Sequence, residues 1–408
     1  MSFDIALSGV DAANTDLDAI SNNIANVDTT GFKESDTEFA DVYAQTQQGV
    51  ASTATGNGVA VAAVAQQFGQ GNITTTSNNL DLALSGNGFF ILSNNGAVSY
   101  TRNGSFQVNQ NGYLVDSSGD LVQGYGPLST GGFNTGELSD IQLTTAESTP
   151  KATTTADIGL NLPAGATAPT DATFSPSDPD SYNETTSMTV YDSLGAAHTA
   201  QLYFIQGATT NNWTAQLYVD GSAVGTGQAL TFNSDGALTS PANGEVNFGS
   251  YTPSTGAAAM NITFDMGGST QDGSAFGVNS VSQDGYTTGD LTGINISATG
   301  VVQANFTNGQ SSTLGQLALA NFADPQGLQQ EGGTQWVQSY ASGDPVQGVA
   351  GGSGFGTIQS GALEDSNVDI TSQLVDMITA QRAFQANAQM ISTQDQLTQD
   401  IINIPSQG

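Results

Sequence analysis

The chain has 408 residues, enough for roughly two to four domains, and carries 37 acidic against four basic side chains for a formal net charge of −33. That balance disfavours nucleic acid and anionic membrane surfaces as partners and points to other proteins. Fifty glycines, no cysteine and abundant Thr, Ser, Asn and Gln describe a β-rich chain with many turns, and they exclude a disulfide framework and thiol chemistry.

The first element is a helix over Phe3 to Val27, with apolar side chains at Phe3, Leu7, Val10, Leu17, Ile20, Ile24 and Val27 in the three-and-four spacing of a one-sided helix. Its counterpart runs from Ile370 to Ile402 through Ile370, Leu374, Met377, Phe384, Ala388, Ile391 and Ile402, with Gln381, Asp395 and Thr398 interrupting the stripe. Two such helices can pair, yet a pair alone cannot bury both stripes. Periodicity leaves two solutions open: a private hairpin on the chain's own β domain, or a seam shared with other copies. No run approaches the ~20 apolar positions of a membrane-spanning helix. No basic region followed by a compact apolar stretch marks a cleavable signal peptide at the N-terminus.

Asn26, Asp28, Thr29, Thr30 and Gly31 stop the first helix, and Phe32 supplies an apolar anchor just beyond. Residues 34–70 read as a polar linker or arm, with Val59, Val61 and Val64 marking one extended segment. The stretch Ser21 to Lys33 (SNNIANVDTTGFK) resembles the signature of the axial proteins of the bacterial flagellum, the rod and hook subunits. Ser366 to Ile391 is similar to the matching C-terminal end of that family, and Gly86 to Leu92 and Tyr100 to Tyr125 resemble its first β domain. Four long motifs in the family's order make this a specific resemblance. The family motif maps here onto Asn22, Asn23, Asn26, Thr30, Gly31, Phe32, Lys33, Arg102 and Arg382.

The β reading also stands on the residues themselves. Phe89 to Leu92 is a short buried run, and Asn95-Gly96, Asn103-Gly104 and Asn111-Gly112 punctuate at hairpin spacing, with another tight turn at Asp116 to Asp120. Five of the eleven prolines lie between Pro150 and Pro179, a domain border or crossover. A second strand set follows from Ser187, with turns at Asp192 to Gly195 and Asp220-Gly221. This passage resembles the outer domain of hook subunits in particular, whereas rod subunits are generally shorter. Turns at Asp284-Gly285 and Asn308-Gly309 lead back to the first β domain, a return placed near Phe276. Leu314 to Leu328 reads as a short helix or strand ended by Pro325, and Asn367 or Asp369 as the cap of the last helix.

The expected architecture is mainly β with long N- and C-terminal α-helices paired in coiled-coil fashion, and two β domains, the outer inserted in the inner. Residues 1–27 and 367–408 form the axial helical domain, 28–70 the linker, 71–145 and 276–366 the middle β domain, and 146–275 the outer one.

No catalytic, cofactor or metal constellation emerges. His198 is the single histidine, so a triad or a histidine cluster has nothing to build on, and a structural role is the simpler reading. Thr231 to Gly236 is faintly similar to a calcium loop but has Thr231 where the first carboxylate belongs, so a hairpin turn is preferred. Gly352, Gly354 and Gly356 lack the strand-to-helix setting of a phosphate cradle. Glu364-Asp365 is most simply a solvated face. Lys33, Arg102 and Arg382 fall inside the family motifs and Lys151 outside. Each is either an ordinary surface base or one half of an ion pair in a chain rich in carboxylates.

The resemblance implies a hook subunit: a homopolymer of many copies acting as a flexible universal joint that carries motor torque from rod to filament. Its implied partners are the hook cap, the distal rod, the hook-filament junction proteins and the flagellar export apparatus, with an extracellular location reached without a cleaved signal. It also implies that Leu7, Val10, Leu17, Ile20, Ile24, Val27, Leu374, Met377, Phe384 and Ile391 carry axial packing and assembly. A distal rod subunit and a secreted β-rich adhesin are the alternatives. An enzyme, such as a glycan hydrolase using two carboxylates, has no acid pair to single out.

Overall fold

The computed structural model describes residues 2–42, 56–143 and 147–402. The centre of the expected linker (43–55), the expected border at 145/146, residues 403–408 and the side chain of Ile402 lie outside the described residues. The chain is mainly β, with helix α1 at Ser2–Ala25 and helix α2 at Ile370–Ile402. The helices pack antiparallel: Asn23 of α1 bonds Gln373 near the start of α2, and Gly9 abuts Asn387 further along it. α1 stops at Ala25 because the Asn26 amide bonds back to both Asn22 and Asn23 carbonyls and residues 26–31 turn. α2 is capped by Asp369, whose Oδ1 accepts the Thr371 and Ser372 amides at 2.8 and 3.3 Å. Asn367 does a different job, holding the amide of Glu34 and the carbonyls of Gln67 and Gly69.

The chain divides into two compact units, Met1–Thr145 with Gly293–Asn305 and Ser311–Gly408, and Ala146–Thr292 with Phe306–Gln310. In the first unit, strands from before and after the insertion interleave. Ser311–Asn321 pairs with Leu121–Tyr125 and with Phe89–Asn94, which continues through Ala97–Thr101 to Gln335–Val337 and Gln329–Gly332. Ser311–Asn321 settles the ambiguous 314–328 stretch as a strand, and Pro325 begins a short 3-10 turn capped by Asp324. Leu82, Leu84, Phe90, Leu92, Leu114 and Leu317 are fully buried in one core, and each such side chain contributes about 1.5–3 kcal/mol. The Asn95-Gly96 turn has φ of 50° and 93°, both left-handed, as a two-residue hairpin requires.

The segment read as a linker contains a hairpin. Strand β1 (Ser35–Asp41) pairs antiparallel with strand β2 (Val59–Gln66) from Ser35↔Gln66 to Asp41↔Val59, and both strands contact α1. Two small pairings then bring the C-terminal approach to α2 against the chain leaving this hairpin, Thr357–Ser360 on Leu82–Ser85 and Ala362–Glu364 on Ile73–Thr75.

The second unit is a two-sheet structure around a single core that includes Trp213, Phe204, Phe264, Leu160 and Val190. One sheet is a five-stranded meander from Glu184–Tyr191 to Leu238–Ser240; the other is built on Thr155–Pro163. Gly277–Gln283 pairs with Thr155–Pro163 from Ala156↔Gln283 to Asn161↔Gly277, so the unit closes at Thr292 rather than near Phe276. The Asp220-Gly221 turn is left-handed at both residues. Thr231 to Gly236 is the hairpin turn it was read to be, with Asn233 Oδ1 accepting the Asp235 and Ala237 amides.

His198 is the centre of a clasp between the two sheets. Its Nδ1 lies 2.6 Å from Asp220 Oδ2 and its Nε2 3.2 Å from Asp192 Oδ2. The Thr255 hydroxyl donates to Asp192 at 2.7 Å, and the Tyr251 hydroxyl, from the other sheet, to Asp220 at 3.3 Å. Carboxylates only accept, so both ring nitrogens must donate and the imidazolium is the species that fits. Burial opposes that charge, but the bonds and charges of Asp220 and Asp192 outweigh it and raise the His198 pKa. Burial likewise works against Asp192, yet the Thr255 hydroxyl, His198 and two backbone amides push its pKa down to about 2. Asp220 is lowered too, chiefly by His198 against the cost of burial. A raised histidine stabilises the fold fully below its unfolded pKa, and depressed carboxylates do so above theirs, so the clasp is complete between roughly pH 4 and 6.5. We expect the second unit's melting temperature to fall as pH rises through the folded pKa of His198, and His198→Asn to remove that slope in pH-resolved thermal denaturation.

Candidate assembly surface

The helical pair closes on small residues. Ala6, Ala13 and Ile20, each seven apart, are buried on α1, and Gln373 and Ala380 are buried on α2 with Asn387 seven further on. Heptad spacing of this kind is a coiled-coil seam, but its centre holds Ala and Gly rather than the large side chains expected. A Cβ on Gly9 would sit 2.6 Å from Asn387 Nδ2, so the backbones meet where no side chain fits. Met377, Phe384 and Ile391 are half-buried at the intervening seam positions of α2.

The predicted stripe therefore splits. Ile20 is buried in the seam; Val10, Leu17, Ile24 and Val27 are half-buried; Phe3 and Leu7 are each 42% exposed. On α2, Ile370, Leu374, Val375 and Ile378 are 45%, 47%, 58% and 50% exposed. Close approach at Ala6, Gly9 and Ala13 turns the rows of large side chains on both helices outward.

The motif after α1 builds the joint between this pair and the β structure. Asn23, 1% exposed, donates to the Ser35 carbonyl and to Gln373 Oε1, and accepts the Ser35 amide. One side chain thus ties α1, β1 and α2 together. The Asn26 amide group bonds Asn22, and Thr29 bonds Asn26, rounding off the helix end. Thr30 is half-buried and Phe32 buried. Gly31 has φ +71°, its amide bonds the Glu364 carbonyl at 2.8 Å, and a Cβ there would lie 2.6 Å from the Asn103 amide. Only glycine fits that conformation and that contact.

Beneath it lies a buried ion triad. Lys33 Nζ is 2.6 Å from Glu364 Oε1, and Arg102 Nη1 is 3.3 Å from Glu364 Oε2, with the Glu364 side chain fully buried. Lys33 also donates to the Gly69 carbonyl, the Gly71 amide donates to Glu364 Oε1, and Arg102 lies over the Phe89 ring. Burial lowers the pKa of both Lys33 and Arg102, and Glu364 counters it in each case. Lys33 and Arg102 are thus structural cations. Glu364 is no solvated face, whereas its neighbour Asp365 is only half-buried and takes the Thr74 hydroxyl. The sequence signal was the scarcity of bases itself, two of the four falling in motifs far apart in the chain, but nothing in it singled out which of 37 acids they share. Arg382 stays apart and exposed on α2, and Lys151 pairs with Asp284 at 2.9 Å in the second unit.

The comparisons bear on the same segments. Residues 3–33 match the family described as flagella basal body rod protein, 83–170 the flagellar hook protein FlgE/F/G D1 domain, 161–286 the flagellar basal body protein FlaE D2 domain, and 359–404 the flagellar basal body rod FlgEFG protein C-terminal region. The chain is 39% identical to the flagellar hook protein FlgE of Salmonella typhimurium, covering 99% of this chain and 100% of that one. It is 32% identical to the protein of the same name from Treponema pallidum, with 98% of each covered. The crystal structure of Helicobacter pylori flagellar hook protein FlgE2 shares the fold at TM-score 0.52 and 15% identity, over 71% of this chain and all of that chain.

Breaking a buried, hydrogen-bonded ion pair from one side leaves the other charge stranded. Glu364→Ala is expected to cost the first unit about 3–5 kcal/mol in denaturant unfolding, while Asp365→Ala costs under about 1 kcal/mol.

Proposed function

This chain belongs to the flagellar hook protein family and is a structural subunit of the bacterial flagellar hook, and on that premise we propose how its parts make a tube that bends. The family is structural rather than enzymatic, and it assembles into the hook together with rod and filament components. Neither a distal rod subunit nor a β-rich adhesin accounts for full-length similarity to hook proteins.

In our reading the helical pair (1–27 and 367–408) is the axial layer. The first β unit is the middle layer, linked to the axial one through the 28–70 arm, and the inserted unit is the outer layer. The observation that carries this is the outward apolar row. Phe3 and Leu7 on α1, with Leu374, Val375 and Ile378 on α2, are left exposed after the hairpin has closed on its alanines and Gly9, and Val10, Leu17 and Ile24, with Val27 just beyond α1, stay only half-buried. Rows of large apolar side chains on both faces of one element suit packing against further copies, and a head-to-tail contact that does not close generates a helical tube. Cohesion then resides in the axial seams, while polar contacts between outer β layers allow subunits to approach and separate as the tube bends. On this account the tube works as a universal joint that carries motor torque. The subunits would leave the cell through the flagellar export apparatus with the N-terminus uncleaved. They would polymerise outside under a hook cap, between the distal rod and the hook-filament junction proteins. The absence of disulfides suits export of an unfolded chain.

Leu7→Asp and Leu374→Asp should each prevent sedimentable polymer while leaving the far-ultraviolet circular dichroism of the free subunit unchanged. Polymer of normal length from both variants would refute axial packing. The outer layer has its own test. The strands entering and leaving the inserted unit are bridged at Lys151↔Tyr286 and Ser148↔Gly289, so a short turn can replace residues 152–284. We expect the shortened chain to stay folded and to polymerise, with a tube whose bending stiffness in electron micrographs differs from that of the full chain.

A further inference from the structure

Three of the four bases are accounted for within the chain: Lys33 and Arg102 on Glu364, and Lys151 on Asp284. Arg382 is exposed and, among the described residues, has no carboxylate within ion-pair distance. It stands two residues beyond the seam residue Ala380, about 200° around the helix, and so faces away from α1. Val375 and Ile378, both exposed, lie on the same row of α2.

The same unit has the opposite imbalance on another face. Asp16 of α1, Glu34, Asp36 and Thr37 on or beside β1, and Gln373 and Asp376 of α2 line a cavity of about 320 Å³. Burial first, then the charges of Asp36 and Asp376, raise the pKa of Asp16; burial, then Asp36, Asp376 and Asp369, raise that of Glu34. Gln373 gives Glu34 one bond at 2.6 Å, and no basic side chain among the described residues reaches the group. Thr37 is 7% exposed and lines this cavity; its hydroxyl is near Asp16 but has no hydrogen-bond partner within geometric reach. A cavity with four carboxylates and an unpartnered buried hydroxyl is built for a multivalent hydrogen-bond donor of positive charge. Arg382 cannot enter its own, because Asp376 lies six residues away, about 9 Å along the same helix and roughly 240° around it.

We propose that Arg382 of one copy inserts its guanidinium into the Asp16, Glu34, Asp36 and Asp376 cavity of a neighbouring copy, locking adjacent helical pairs together. The proposal rests on the reading that these pairs pack against one another in the polymer. Guanidinium offers five donors in a planar fork, enough to reach two carboxylates and the Thr37 oxygen at once, where an ammonium would act as a point charge. A second copy is the occupant the observations favour, since every copy carries both the exposed cation and the complementary anionic cavity. Such a contact is heterologous and propagates from copy to copy.

Charge reversal tests it. Arg382→Glu should raise the critical concentration for polymerisation on the order of thirtyfold, and adding Asp376→Arg should bring it back to within a few-fold of the parent. Arg382→Lys should fall between. Circular dichroism of the unpolymerised subunits checks that each variant keeps its helices. The chain has no cysteine, so a mixed polymer of Arg382→Cys and Asp36→Cys subunits gives a second readout. Oxidation should yield the intermolecular disulfide at least about tenfold above a mixture of Arg382→Cys with Asp18→Cys. If Arg382→Glu polymerises like the parent while Leu7→Asp does not, the lock is overturned and axial packing stands; if both polymerise normally, axial packing falls with it. Failure of Asp376→Arg to rescue, together with equal cross-linking to Asp18→Cys, also overturns the lock.

Discussion

The Glu364 carboxylate, buried between Lys33 and Arg102, is the constraint on which the first unit depends. Lys33 follows the end of α1, Arg102 follows the strand Ala97–Thr101 of the middle sheet, and Glu364 precedes α2 by a few residues. Three remote segments therefore converge on one side chain, and the roots of both helices are fixed against the β structure at the same place. Taking three charges out of water is costly, and apolar residues of similar volume often do as well for stability alone. What the triad adds is a geometry that only one arrangement of the two roots satisfies. In the proposed layering, where torque would pass from an axial layer to the layers around it, a joint that cannot slip matters more than a few kcal/mol. Asn23, clamping α1, β1 and α2 through three hydrogen bonds, is the second fastening of the same joint.

The helical pair is built on the opposite principle. At its closest approach the seam holds Ala6, Gly9 and Ala13, so the backbones lie close there, with Ile20 buried further along. That leaves the pair poor in cohesion of its own and rich in surface that another helix would cover. The inserted unit is different in kind. Its core of Trp213, Phe204, Phe264 and their neighbours is closed within the unit, and its strength depends on no other copy. In the proposed tube the ends would cohere between copies and the inserted unit within itself, ends against middle.

Much of this was legible from the residues. The helix limits at Ile370 and Ile402, the hairpins at Asn95-Gly96, Asn111-Gly112, Asp220-Gly221 and Asn308-Gly309 and the β character of the middle all followed from spacing and turn chemistry, whereas Asn103-Gly104 and Asp284-Gly285 join no paired strands. Four things were not. The 3.6-residue period showed which residues of α1 share a face, but the eye goes to Leu7 and Leu17, whereas the seam belongs to Ala6, Gly9 and Ala13, whose virtue is lack of volume. The arm after α1 read as linker because its residues are small, polar and Gly-containing, and pairing between β1 and β2, well apart in sequence, leaves no local signal. The return from the insertion was set too early because Gly277–Gln283 carries the alternation of any strand, and only its partner, Thr155–Pro163, assigns it to the second unit. Glu364 was misread because a buried acid has no local mark in sequence; its burial is decided by two bases hundreds of residues away.

The acidity, which alone would suit many secreted proteins, has a structural side. Asp116, Asp192, Asp272, Asp324 and Asp369 each accept backbone amides at a turn or helix start, whereas Asp284 accepts those of Thr154 and Thr155 at a remote strand start. A short side chain with an acceptor oxygen is what those positions need, and lysine or arginine could not replace it. A chain with so many tight turns accumulates aspartates for local reasons, and the net charge is partly a by-product. Repulsion between such charges is screened within about 8 Å at physiological salt, so it acts between neighbouring surfaces and hardly beyond them. Under that condition the position of each base carries unusual weight. Two are consumed in fastening the helices to the β domain, and Lys151, though half-exposed, is held by Asp284 in the inserted unit, which leaves Arg382 as the exposed side-chain cation without a carboxylate partner among the described residues.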